Sequence, residues 1–201
     1  MNRGKIYVIA APSGAGKSTL VNALCQADPL VQLSISHTTR PLRVGEVTGV
    51  NYFFVPIAQF EAMIEHNEFL EYAKVFDNYY GTNINTIKGF LATGKDILLE
   101  IDWQGAQQIR NLFSEAVLIF ILPPSLAILA QRLKARNTDS PAVIEQRLNM
   151  ALTEISHAPE FDYIITNDNF EVALLDLSSI IRSGRNKTAR RIDALKQQFN
   201  F

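Results

Sequence analysis

Ile6-Tyr7-Val8-Ile9-Ala10-Ala11-Pro12-Ser13-Gly14-Ala15-Gly16-Lys17-Ser18-Thr19-Leu20-Val21-Asn22-Ala23-Leu24 decides the fold of this 201-residue chain. Five apolar residues read as a buried strand, the glycine-bearing run as a loop, and Ser18 onward as a helix. Such a loop aims backbone N–H groups at an anion, and the helix N-terminus adds the positive end of its dipole. Lys17 supplies a point charge for the β- and γ-phosphates of a nucleoside triphosphate, and the Ser18 hydroxyl suits Mg²⁺. The phosphate-loop pattern asks for glycine where this chain has Ala11. Pro12 follows, and a residue before proline is driven into extended backbone, which alanine accepts. Gly14 and Gly16 remain where the chain must bend and let oxygen atoms come close. The triphosphate site is therefore expected over Ala11, Pro12, Ser13, Gly14, Ala15, Gly16, Lys17, Ser18 and Thr19.

Outward from this loop, strand and helix signals alternate. Leu30 to Ile35 reads as a strand, Asp96 to Asp102 as a buried strand ending in two acids, Glu100 and Asp102, and Ala116 to Leu122 as a long apolar strand closed by Pro123-Pro124. Tyr163 to Thr166 is a shorter strand, and the helix after it has Ala173, Leu177, Ile180 and Ile181 on one face. This pattern predicts an α/β fold, a parallel sheet flanked by helices on both faces, with ligands beyond the carboxyl ends of the strands. From Ser36 to Lys95 the rhythm breaks into short aromatic-rich strands, Tyr52 to Val55, Phe69 to Val75 and Tyr79 to Gly81. One helix there carries Phe60, Met63 and Ile64, another Ile84, Ile87 and Leu91. That region reads as a small inserted lobe on an antiparallel sheet. A second excursion, from Ser125 to Arg147, surrounds a polar centre at 137–141 with Arg132, Lys134, Arg136 and Arg147, and reads as a charged flap between two helices.

Composition sets the outer bounds. An apolar fraction of 47% suits a globular domain with a sizeable core, and a net charge of −1 argues against binding nucleic acid or membranes through bulk charge. Cys25 stands alone in the first helix as a core residue, and His37, His66 and His157 lack the spacing of a zinc site. No apolar run approaches a signal peptide or a spanning helix, so a reduced cytoplasm is expected. The basic run Arg185 to Arg191 in the tail is open to an oligomer contact or a nucleic acid, but is most simply read as solvated.

The inserted lobe holds Ser36-His37-Thr38-Thr39-Arg40-Pro41-Leu42-Arg43 with Gly45-Glu46, then Glu68-Phe69-Leu70-Glu71, Asn78-Tyr79-Tyr80-Gly81-Thr82 and, further on, Ile101-Asp102-Trp103-Gln104-Gly105-Ala106. In that order after this loop, these stretches closely resemble the guanylate kinase family over residues 4 to 184. The resemblance implies a P-loop NTPase-like core (4–35, 95–124 and 148–184), a mixed α/β GMP-binding lobe (36–94), a helical lid (125–147) and a helical tail (185–201). It implies phosphoryl transfer from ATP to GMP, with Mg²⁺. Guanine offers N1–H and N2–H₂ donors where adenine offers a lone pair, so a carboxylate distinguishes them. By resemblance Glu71 and Asp102 take that edge with Ser36 and Thr82, while Arg40, Arg43, Tyr52 and Tyr80 take the phosphate.

The resemblance further makes Arg132, Arg136 and Arg147 lid arginines that close over the transferring group beside Lys17, and it sets Asn167 near the adenine of ATP. Arg136 is followed by Asn137, where the family often has glycine; asparagine tolerates left-handed backbone. The family usually has Asp-x-Asp where this chain has Glu100-Ile101-Asp102. Glu100 therefore either orients water on Mg²⁺ beside Ser18 or holds a neighbouring side chain. Two other readings stay open: a kinase for AMP or a pyrimidine monophosphate, and a non-catalytic guanylate-kinase-like module that binds phosphorylated peptides. ATP and GMP are the expected partners, with neither membrane nor nucleic acid. Oligomeric state, regulation and use of dGMP are not fixed by these residues.

Overall fold

The computed structural model describes residues 4–75, 77–135 and 141–200. Chain order alternates as the apolar periodicity requires: β1 (Ile6–Ala10), α1 (Lys17–Ala27) and β2 (Val31–Leu33) open the core. The inserted lobe follows with β3 (His37–Thr38), β4 (Phe53–Phe54), α2 (Ile57–Glu65), β5 (Phe69–Val75), β6 (Asn78–Asn83) and α3 (Ile84–Ala92). The core resumes with β7 (Asp96–Glu100), α4 (Trp103–Leu112) and β8 (Val117–Leu122). Two helices, α5 (Leu126–Ala135) and α6 (Pro141–Ser156), precede β9 (Tyr163–Thr166), α7 (Phe170–Arg185) and the tail helix α8 (Thr188–Phe199).

The five core strands form one sheet in the order β2-β7-β1-β8-β9, every pair parallel. Side chains alternate across it. Tyr7, Ile9, Leu98, Ile119 and Ile121 face α1 and α7, meeting Leu20, Leu24, Leu177 and Ile181. Ile6, Val8, Ile97, Leu99 and Leu118 face the other way, against Ile87 of α3 and Ile109 of α4. Because both faces are covered, β1 and β7 are continuous apolar runs rather than alternating ones. The three-layer arrangement expected from the alternating signals is present.

Three local expectations are corrected. The lobe sheet, in the order β4-β3-β6-β5, is mixed rather than wholly antiparallel: β3 pairs with β4 in parallel, while β6 is antiparallel to both β3 and β5. The connection from β3 to β4 is long enough to return the chain to the same end before pairing, and a two-residue strand leaves no pattern to reveal its direction. The strand read through to Asp102 stops at Glu100, because Asp102 is the N-cap of α4 and its Oδ1 accepts the Gly105 N–H at 2.8 Å. Glu100 and Asp102 thus do not share a strand face. In the tail, Arg185 and Arg190 turn inward: Arg185 bonds Asp96 and Asp28, both at 2.6 Å, and Arg190 lies 3.0 Å from Asp96. Asp96 is 1% exposed and also accepts the Lys5 N–H. A buried carboxylate at the start of β7 needs cations around it, and the tail supplies them.

Candidate active site

The carboxyl ends of β1, β2, β7 and β9 deliver the loop after β1, Ser36, Asp102 and Asn167 to one edge of the sheet, where a cleft of about 300 Å³ opens. Its floor is the phosphate loop. Gly14 and Gly16 take φ values of +95° and +92°, while Ala11 is not among the residues of positive φ, in keeping with its place before Pro12. A Cβ on Gly16 would come within 2.3 Å of Asn167 Nδ2, so glycine is required there on two counts. Lys17 donates to the Ile101 carbonyl at 3.1 Å, and the Ser18 hydroxyl donates to Glu100. Ala11, Pro12, Ser13, Gly14, Gly16, Lys17, Ser18 and Thr19 all line the cleft. Ala15 does not: it is buried, and its carbonyl faces away to accept Asn167 Nδ2 at 2.7 Å and Arg132 Nη1 at 3.4 Å.

Opposite the loop stands the lobe wall. Arg40 lies over the Tyr52 and Phe54 rings, 5.4 and 5.5 Å from their centroids, and grips Glu46 with two bonds of 2.8 and 2.9 Å. Glu46 also accepts the Arg43 N–H at 2.8 Å, so one carboxylate fixes the segment bearing both arginines. Tyr52 and Tyr80 meet edge to face at 5.9 Å. Burial pushes the Tyr52 hydroxyl up to about 12, with Glu100 adding to the rise. Arg40, Arg43, Tyr52 and Tyr80 all line the cleft.

The third wall is acidic. β5 and β6 pair Glu71 with Thr82 across the ladder, both buried, with Ser36 buried at the same edge. Glu71 Oε1 and Thr82 Oγ1 have no hydrogen-bond partner among the described residues. Burial pushes the Glu71 carboxyl up to about 7; the nearby Thr82 pulls it partway back, and the charge of Asp102 adds to the rise. Glu71 Oε2 abuts α4, where a Cβ on Gly105 would come within 2.5 Å of it. Ser36, Glu71, Glu100 and Asp102 line the cleft, and Thr82 lies behind Glu71.

Cationic and anionic side chains thus line one cleft together with a phosphate loop. Residues 3–184 match the family model described as Guanylate kinase. The chain belongs to the guanylate kinase family. It is 53% identical over 195 residues to the guanylate kinase of Methylococcus capsulatus, covering 97% of this chain and 96% of that protein. It is 52% identical over 202 residues to the guanylate kinase of Salmonella typhimurium strain LT2, covering all of this chain and 96% of that one. The crystal structure of guanylate kinase from Anaplasma phagocytophilum superposes with a TM-score of 0.82 at 32% identity, covering 100% of this chain and 97% of that one. Among the described residues of this guanylate kinase family member, no helix is long and apolar enough to cross a membrane.

The three arginines expected in a lid fare differently. Arg147, on α6, lines the cleft. Arg132, on α5, lies behind the loop and spans the Ala15 and Asn167 carbonyls, the latter at 3.0 Å. Arg136 lies outside the described residues. Sequence reasoning missed Glu154, on α6, which lines the cleft with Ser13 and Lys17. Burial raises its carboxyl, opposed by the Lys17 charge and by the Ser13 amide, with Asp102 adding to the rise. Its position seven residues beyond Arg147, on the same helical face, is the one signal that points to it.

Proposed function

We propose that this chain transfers the γ-phosphoryl group of ATP to a phosphate oxygen of GMP, giving ADP and GDP. The observation that carries this reading is Glu71: a buried carboxylate with an unpartnered oxygen, set in the same cleft as a phosphate loop. A site wall of that kind selects a base edge that donates, as guanine does at N1 and N2, and leaves its acceptors unpaired against adenine. Asp102 and Ser36 complete the base wall, with Thr82 backing Glu71, and Arg40, Arg43, Tyr52 and Tyr80 take the monophosphate.

The loop amides, Lys17 and Thr19 hold the donor's phosphates, and Asn167, buried behind the loop on the Ala15 carbonyl, supports that loop rather than lining the cleft. An oxygen of the GMP phosphate attacks the γ-phosphorus as the bond to the β-phosphate oxygen breaks, and the leaving group departs as ADP. The nucleophile is already an anion, so no general base is needed, and catalysis rests on alignment and charge neutralisation. Lys17, Arg147, Arg132 and Arg136 supply the cations, and closure of residues 125–147 over the cleft excludes water as a competing acceptor. The Ser18 hydroxyl and Glu100 carboxylate, already in contact, are hard oxygen donors that would hold Mg²⁺. When bound there it neutralises charge on the donor phosphates. Within this reading 36–94 is the acceptor lobe and 125–147 the lid.

A coupled assay of ADP release with GMP, AMP, CMP and UMP tests the assignment. Turnover with GMP at least about a hundredfold faster than with the others is expected. Equal turnover with AMP removes the Glu71 argument, and none with any acceptor removes the enzyme.

A further inference from the structure

Gln108, on α4, lies outside every motif around the cleft, yet it grips the strand that carries Glu71. Its Nε2 donates to the Tyr72 carbonyl at 2.8 Å, and its Oε1 accepts the Tyr72 N–H at 3.2 Å. β5 is an edge strand of the lobe sheet, and on such an edge alternate residues turn both backbone groups away from the neighbouring strand. At Tyr72 one side-chain amide satisfies both, as the backbone of a further strand would. The grip falls where the strand is least regular. Phe69 faces Asn83 and Glu71 faces Thr82, so two steps along β5 meet one along β6, a bulge that leaves Leu70 as the extra residue. Leu70 is buried in one cluster with Ile101, Ala106 and Ile109. Three consecutive residues of β5 thus have separate assignments: Leu70 to the core, the Glu71 side chain to the cleft and the Tyr72 backbone to Gln108. Gly105, one helical turn before Gln108, is the residue whose missing side chain leaves room for Glu71 Oε2.

We propose that Gln108 is a positioning residue for guanine selection, holding β5 in register past its bulge so that Glu71 stays aimed into the cleft. The inference rests on the reading of Glu71 as the base acceptor. Side chains alternate along a strand, so one residue of slip beyond the bulge turns Glu71 out of the cleft and brings a neighbour into its place. Pairing with β6 does not by itself exclude that slip, because a backbone ladder can form in either register. The two bonds from α4 do exclude it, since they are made to one residue of β5 from an element of the core. Gln108 is not among the residues that line the cleft, and it acts through Tyr72 and Glu71.

The test compares the unchanged chain with Gln108→Ala and Gln108→Met. Alanine and methionine both favour helix, and methionine keeps the length of the side chain while losing both bonds. KM and kcat are measured for GMP and AMP at saturating ATP and KM for ATP at saturating GMP, with hydrogen exchange at the Tyr72 amide followed by NMR. Both variants are expected to speed exchange at Tyr72 about tenfold or more. Both should raise KM for GMP about tenfold and cut the preference for GMP over AMP in kcat/KM by about as much, the range for losing a pair of neutral hydrogen bonds. KM for ATP should stay within about twofold, because the phosphate loop follows β1. If Gln108 only fills space, methionine restores KM for GMP; if it only adds stability, the melting temperature falls with KM and preference unaltered. Either result overturns the proposal, as does unaltered exchange at Tyr72 or an equal rise in both KM values. Glu71→Gln, run alongside, keeps the two readings apart. Full preference for GMP in that variant overturns the Glu71 reading, whereas exchange at Tyr72 in the Gln108 variants still decides whether α4 holds the strand.

Discussion

Glu71 is the residue on which recognition and stability pull in opposite directions. In the folded chain its carboxyl sits at about 7, against an ordinary value of 4.5. The folded form therefore holds its proton more tightly than the unfolded form. Its contribution to stability is fully present below about 4.5 and is lost as pH rises through about 7, a change on the order of 3 kcal/mol. Glu71→Gln removes that ionisation, so the melting temperature of the ligand-free variant should exceed that of the unchanged chain at pH 8, while preference for GMP over AMP falls. Calorimetric melts and the two-acceptor assay read both effects from one protein. The same pKa makes GMP compete with a proton below about 7. KM for GMP should rise about tenfold per pH unit below that point and level off above it. A flat profile between pH 5.5 and 8.5 would remove Glu71 as the base acceptor. Lys17 offers the complementary separation: Lys17→Ala should suppress turnover about a hundredfold or more with GMP affinity largely kept, because its ammonium serves the donor side.

At the scale of single elements, α4 joins two tasks at its first turn. Asp102 caps it through Gly105, and Gly105 in turn leaves space for Glu71 Oε2. Gly105→Ala should therefore raise KM for GMP about tenfold or more while KM for ATP stays within about twofold; equal changes would mean that the helix itself had shifted. Much of this element structure was legible in the sequence. Tyr163 to Thr166 and Phe69 to Val75 are strands with the expected ends, because alternation or apolar runs bounded by polar residues leave few other options. The dual use of Asp102 was less visible: Glu-Ile-Asp continues a strand pattern, and only the small residue three places on marks the cap. Glu154 was hidden for a different reason. It meets Ser13 and Lys17 only across the cleft, more than a hundred residues away in the chain, and no motif spans that distance. The Arg132 bonds to the carbonyls of Ala15 and Asn167 leave no trace in the sequence either, because a side chain bound to backbone imposes no residue type on its partner.

Across the whole molecule, chemistry and anchoring occupy opposite edges of the sheet. Cleft-lining groups gather where β1 and β7 end, whereas Asp96, where β7 begins, fastens the tail through Arg185 and Arg190. Asp96→Ala leaves two partly buried guanidiniums without their common anion and should cost about 3–5 kcal/mol, a drop in melting temperature of roughly 10 °C. Its kcat at 20 °C should match that of the unchanged chain; a fall in kcat without a fall in melting temperature would tie the tail to the cleft. That the core sheet is parallel and covered on both faces was readable from periodicity; its strand order was not, because apolar runs do not say which strands lie side by side. The tail's role was not, because a run of basic residues looks the same whether it meets water or a buried acid.

The flat stack of His157 on Trp103 has a mechanical consequence. It pins one end of a rod whose other half carries Arg147, ten residues and roughly 15 Å away along the helix axis. Were that stack a pivot, a swing of about 10° would sweep the guanidinium's attachment point through about 2.6 Å, close to one hydrogen-bond length. Glu154, much nearer the fulcrum, would travel less than a third as far. A single stiff lever would then bring a distant cation into range while barely moving the cleft wall beside its pivot.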